Sequence, residues 1–145
     1  MNCMKDEPRQ FVDTNVLVYA HDASAGFKHQ VAQQLVASLW ESRSGCLSLQ
    51  VLQEFYVTVT QKVNKPLPAE LATRIISDLG HWTVHLPTVD DVITAIAIQQ
   101  RYKLSFWDAM IIGSAYALHC EVLWTEDLKD GQSYEGVKVV SPFTT

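Results

Sequence analysis

The chain has 145 residues, 48% of them hydrophobic and 19% charged, with a formal net charge of −5. That content fits one compact domain with a sizeable core, expected to span 1–145 with its essential part at about 10–142. The acidic balance disfavours a protein that grips nucleic acid through a broad basic field, but not one that touches a few phosphates and adds positive charge as bound metal. No apolar run reaches the roughly 18 residues of a membrane span. The opening MNCMKDEPRQ carries charges where a signal peptide is apolar, so a soluble, cytoplasmic protein is expected. Cys3, Cys46 and Cys120 are odd in number and lack metal-ligand spacing, which argues against a disulfide framework or a structural zinc site.

In chain order, the apolar periodicity predicts a strand from Gln10 to Asp13, a short helix near Val16 to Ala20 and a helix from Phe27 to Ser42, with Gly45 as the stop signal. A strand from Cys46 to Leu49 and a helix from Gln50 to Val63 follow, and Pro66 and Pro68 break the chain. Next come a helix from Ala69 to Trp82, a strand from Thr83 to Leu86 and a helix from Val89 to Tyr102 that Thr88 and Asp91 would open as a capping box. The remainder reads as a helix from Phe106 to His119, a strand from Glu121 to Thr125, a turn at Asp130-Gly131 and a strand from Val137 to Val140. Alternation of this kind means an α/β fold, a mostly parallel sheet of about five strands flanked by helices.

In such a sheet the strand carboxyl ends and the amino ends of the following helices share one edge, where ligands bind. Asp13 ends the first strand, Asp127 lies just past the fourth, and Glu54 is in the first turns of the helix after the second. Asp108 reaches the same edge if the helix it opens feeds a parallel strand, which requires the preceding helix to lie across the sheet. Carboxylates within a few ångströms of one another repel by about 3 to 4 kcal/mol per pair at an effective dielectric near 20. A cluster needs raised pKa values or a cation, and oxygen-only ligands favour Mg²⁺ or Mn²⁺ over zinc. Such a metal suits phosphodiester hydrolysis, by activating water and stabilising charge on the phosphate.

Each acid also has a plain structural role to weigh. Asp13 can cap the short helix after it, with Thr14 and Asn15 as turn residues. Glu54 flanks an apolar helix face, where a solvated carboxylate is ordinary. Asp108 is the only charge in SFWDAMIIGSAYAL, expected to be buried, and has capping-box spacing from Ser105. Around Asp127, Glu126 and Asp130 compete for the same role. The five histidines are expected to be structural or exposed, and Trp82, Trp107 and Trp124 to be core rather than base-stacking platforms. Lys62, Lys65, Arg74, Arg101 and Lys103 are candidate phosphate contacts with equally good readings as solvated faces.

At the acidic positions the sequence resembles the PIN-domain family, in particular the VapC-type toxins of toxin–antitoxin pairs. FVDTNVLVYA resembles the family's opening strand, SLQVLQEFYVTVT its second acidic motif, LSFWDAMIIGSA its third and LWTEDLKDG its fourth. The resemblance implies a three-layer PIN-like sandwich and metal-dependent endonucleolytic cleavage of RNA that leaves a 5′-phosphate and a 3′-hydroxyl. Asp13, Glu54, Asp108 and Asp127 would be the catalytic, direct or water-mediated metal ligands, for Mg²⁺ or Mn²⁺, with Thr14, Asn15 and Thr125 as supporting polar groups. It also implies a homodimer and a cognate antitoxin that occludes the acidic site. The competing readings are a non-catalytic PIN-like module that binds RNA or protein, and, ranked lower, a phosphotransfer or receiver domain, since Asp13 lacks the second aspartate of a DxD motif.

Overall fold

A computed structural model describes residues 7–144, so Cys3 lies outside the described residues. The chain runs β1 (Gln10–Val12), α1 (Thr14–His21), a 3-10 turn at Ala23–Ala25, α2 (Phe27–Ser42), β2 (Gly45–Ser48), α3 (Leu49–Gln61) and α4 (Ala69–Leu79). It continues with β3 (Thr83–His85), α5 (Val89–Tyr102), α6 (Phe106–Ala117), β4 (Val122–Trp124), β5 (Ser133–Tyr134) and β6 (Val137–Val140). The sheet order is β3-β2-β1-β4-β6-β5. All pairings are parallel except β5 with β6, which are antiparallel.

Central position makes β1 apolar on both faces. Phe11 pairs with Cys46 on one side and with Leu123 on the other, and all three side chains are buried. A strand covered on both faces reads as a continuous apolar run, as QFV does between Arg9 and Asp13. Helix α3 buries Val51, Phe55 and Val59, spaced by four residues on one stripe, and Ser48 caps it by accepting the Val51 amide. Helix α6 buries most of its circumference, from Ala109 to Ala115, because it packs on β2, β4 and β6 while α5 packs against it in turn. Only three residues separate α5 from α6, and the two helices pack closely against each other.

Two boundaries differ for identifiable reasons. Gly45 is not the stop of α2: Arg43, in the left-handed region at φ 59°, occupies that position, and Gly45 opens β2. A side chain there would collide with Trp82, whose ring carbons lie 2.5 Å from the position a Cβ would take. Trp82 in turn leaves α4, which ends at Leu79, and is buried against Gly45 and Trp40. Thr88 and Asp91 do form the capping box that opens α5. Among the described residues no helix is long and apolar enough to cross a membrane.

Candidate active site

Strand β1 delivers Asp13 to the carboxyl edge, where it caps α1. Its Oδ1 accepts the Thr14 amide at 2.7 Å and its Oδ2 accepts the Thr125 hydroxyl at 2.8 Å. The residue is only 6% exposed. Loss of hydration pushes its carboxyl up to about 7, against the pull of the Thr125 and Thr14 hydrogen bonds and with help from the charges of Asp127 and Glu54. Asp13 is thus both the cap and a member of the acidic cluster, so its two readings coexist.

Thr125, fully buried just beyond β4, is the hub of the polar network. Its oxygen donates to Asp13 and accepts the Asn15 amide at 3.2 Å and the Asp127 backbone N–H at 3.1 Å. Asn15 also donates to Asp127 Oδ2 at 2.8 Å. On the other side, the Thr14 hydroxyl donates to Glu54 Oε1 at 2.7 Å, tying α3 to the start of α1. Asp108 stands in the first turn of α6, half-buried, with its backbone N–H held by Ser105 Oγ at 3.1 Å. Burial raises its carboxyl, the Ser105 hydroxyl opposes, and the charges of Asp127 and Glu54 add to the rise.

Asp13, Glu54, Asp108 and Asp127 all line one open cleft of about 660 Å³. Glu126 does not: it turns away to Lys28, at 2.7 Å from Nζ, and to the Tyr19 hydroxyl. Asp130 is also elsewhere, accepting the Ser141 amide at 2.8 Å. Among the described residues no histidine or cysteine lines the cleft, and Lys62 does. Arg101 is engaged by Glu135.

One expectation is corrected. Trp82 is buried and Trp124 half-buried, but Trp107 is 62% exposed on the wall of the cleft. The unbroken apolar run of α6 disguised it; its place in the first turn of that helix, beside Asp108, was the available signal. Gln50 was also missed. It stands one turn before Glu54 on the same face of α3, and its Nε2 donates weakly to Glu54 Oε2 at 3.5 Å and to the Trp107 carbonyl at 3.4 Å.

The donor set suits a hard divalent cation, being all oxygen. Among the described residues no three acids converge as ligands of one ion, and Thr14, Asn15 and Thr125 each donate to a carboxylate of the cleft.

The sequence profile of the PIN domain matches residues 11–129, most of the chain and all four acids. The chain belongs to the PIN-domain family. Solved PIN structures resemble it in fold. The toxin–antitoxin complex from Klebsiella pneumoniae aligns with TM-score 0.70 and 24% identity over 94% of this chain and 99% of that one. VapC20 of Mycobacterium tuberculosis, a sarcin–ricin loop-cleaving toxin, aligns with TM-score 0.64 and 21% identity over 81% of this chain and 91% of its own. DNA-bound VapBC from Salmonella typhimurium gives TM-score 0.65 and 15% identity over 94% and 99%. No curated protein matches the chain in sequence.

Proposed function

We propose that this PIN domain is a divalent-metal-dependent endoribonuclease and the toxin of a toxin–antitoxin pair. The observation that carries the reading is the gathering of four carboxylates, from four separated segments, on the wall of one open cleft. Like charges drawn together at that cost need a function that uses them. The similarity in fold to a toxin–antitoxin complex supports the partner, and cleavage of the sarcin–ricin loop by VapC20 supports RNA as the substrate.

Asp13, Glu54, Asp108 and Asp127 would hold Mg²⁺ or Mn²⁺, directly or through water. When bound, the ion supplies a lowered pKa for water and charge stabilisation at the phosphodiester. The chain's own residues do the rest: Thr125 and Thr14 fix the Asp13 carboxylate, Asn15 orients Asp127, and the Thr14 hydroxyl positions Glu54. A homodimer and a protein antitoxin complete the proposal.

Purified wild-type protein and Asp108→Asn should be incubated with a mixed pool of structured and single-stranded RNAs, with Mg²⁺, with Mn²⁺ and with EDTA. Wild-type cleavage that requires metal and falls at least about 100-fold in the variant is expected, on the scale at which single catalytic groups act. Equal cleavage by a folded variant would remove Asp108 from the reaction, and cleavage unaffected by EDTA would remove the metal.

A further inference from the structure

The cleft lining mixes two chemistries. Besides the four acids, Val57 and Trp107 line the cleft with exposed apolar surface, and Trp107 directly precedes Asp108 in the first turn of α6. Trp107 leaves 62% of its surface in solvent, and Val57 leaves 40%. An indole is among the largest apolar groups available, and an exposed one in a cleft lined by charges is a poor use of it unless something covers it.

The backbone that carries the indole is held in place, and the ring has one aromatic neighbour. Its backbone sits in the first turn of α6, clamped by Ser105 capping on one side and by the Gln50 contact to its carbonyl at 3.4 Å on the other. Phe106, packed against the core, meets it edge to face at a centroid separation of 5.1 Å. An indole has only two side-chain torsions to fix, so it sacrifices little freedom when a second flat group settles on it.

A nucleotide matches this mixture, with its phosphate where the acids would hold metal and its flat base on the indole that neighbours Asp108. We propose that Trp107 is the stacking platform for an unpaired base of the RNA substrate, adjacent to the scissile phosphodiester. This rests on the ribonuclease reading above and narrows it. A base inside a helix has both faces covered by its neighbours, so the target segment must be single-stranded, looped or splayed out of a duplex. Lys62, lining the same cleft, is placed to meet a flanking phosphate.

The test compares wild type, Trp107→Ala and Trp107→Phe. Binding of a labelled single-stranded RNA of about six nucleotides is measured by anisotropy in Mg²⁺ on an Asp108→Asn background, and cleavage on the native background. Trp107→Ala should weaken binding and raise KM roughly 5- to 150-fold, the range of one base–aromatic stack, with a smaller change in kcat. Trp107→Phe should recover most of the binding, and the same sequence as a duplex should bind poorly to all three. Thermal melting of each variant checks the fold, which an exposed side chain should leave intact. RNA binding and KM indifferent to Trp107 would overturn the proposal, leaving the indole to a protein contact while cleavage still upholds the nuclease. Trp107-dependent binding of RNA with no cleavage on the native background would uphold the stacking contact but overturn the nuclease and, with it, the place beside a scissile bond.

Discussion

Asp13 gives up nearly all its hydration to cap α1, and the two hydrogen bonds it receives do not repay the loss, so its carboxyl sits at about 7. Between about pH 4 and 7 the folded, metal-free chain therefore keeps a proton that the unfolded chain has released. Linkage sets the sign: the stability this group contributes is full below its unfolded pKa and is lost as pH rises through about 7. A shift of that size corresponds to at most about 4 kcal/mol. Asp108, raised chiefly by burial, acts in the same direction. Asp91, held low first by the Thr88 amide, matters only below the ordinary carboxylate range. So does Glu126, where Lys28 and Tyr19 overcome the burial that opposes them. Urea unfolding in EDTA should give a free energy that falls from pH 5 to pH 8, and Asp13→Asn should flatten that fall. A wild-type profile no steeper than the variant's would remove the buried carboxyl as its cause. Asp13, Glu54 and Asp108 were legible in the sequence because their positions at strand ends and helix starts follow from the alternation of elements. The choice between Glu126 and Asp127 was not, because it depends on Lys28 and Tyr19, 98 and 107 residues away from Glu126 in the chain.

At the scale of elements, two glycines of similar appearance in the sequence carry opposite meanings. Gly45 opens a buried strand, and a Cβ there would meet the Trp82 ring at 2.5 Å. Gly113 lies inside α6, where a Cβ would make ordinary contact with Ile98 Cδ1 at 3.8 Å. Gly45→Ala should therefore cost about 1 to 3 kcal/mol by overpacking. Gly113→Ala should contribute about 0.5 to 1 kcal/mol by restricting the unfolded chain and improving helix propensity. Both follow from denaturant midpoints at constant slope; equal signs would show that the Trp82 contact yields more easily than its geometry implies. The same contrast explains what the sequence hid. A glycine just after a helix reads as a stop, and only the return of Trp82 beneath β2 shows that the backbone there must lack a side chain. Helix α5 was legible to the residue because Thr88 and Asp91 cap it locally. Strand β5 has two residues, Ser133 and Tyr134, too few for any alternation, and exists only because β6 offers an edge.

For the molecule as a whole, the parallel order of β1, β2, β3, β4 and β6 converts distant carboxylates into neighbours, and the chain bears their repulsion on top of a net charge of −5. The alternation of strands and helices made the parallel sheet legible, but the sharing of one cleft depended on how α5 packs, which no local pattern reports. A divalent ion that binds the folded chain and not the unfolded one stabilises it by mass action, about 2.7 kcal/mol at 100 times its Kd. For a chain of this size that corresponds to roughly 5 to 10 °C in Tm. Because the ion must displace the Asp13 proton, the shift should be larger at pH 8 than at pH 5.5. Asp13→Asn and Asp127→Asn should each lose most of it, whereas Glu126→Gln, which removes the acid that pairs with Lys28 outside the cleft, should keep it. Thermal melts with Mg²⁺, Mn²⁺ and EDTA at the two pH values decide the matter without any RNA. A shift of equal size in wild type and Asp13→Asn would place the ion elsewhere, and no shift in wild type would leave the cluster's repulsion to be relieved by protons alone.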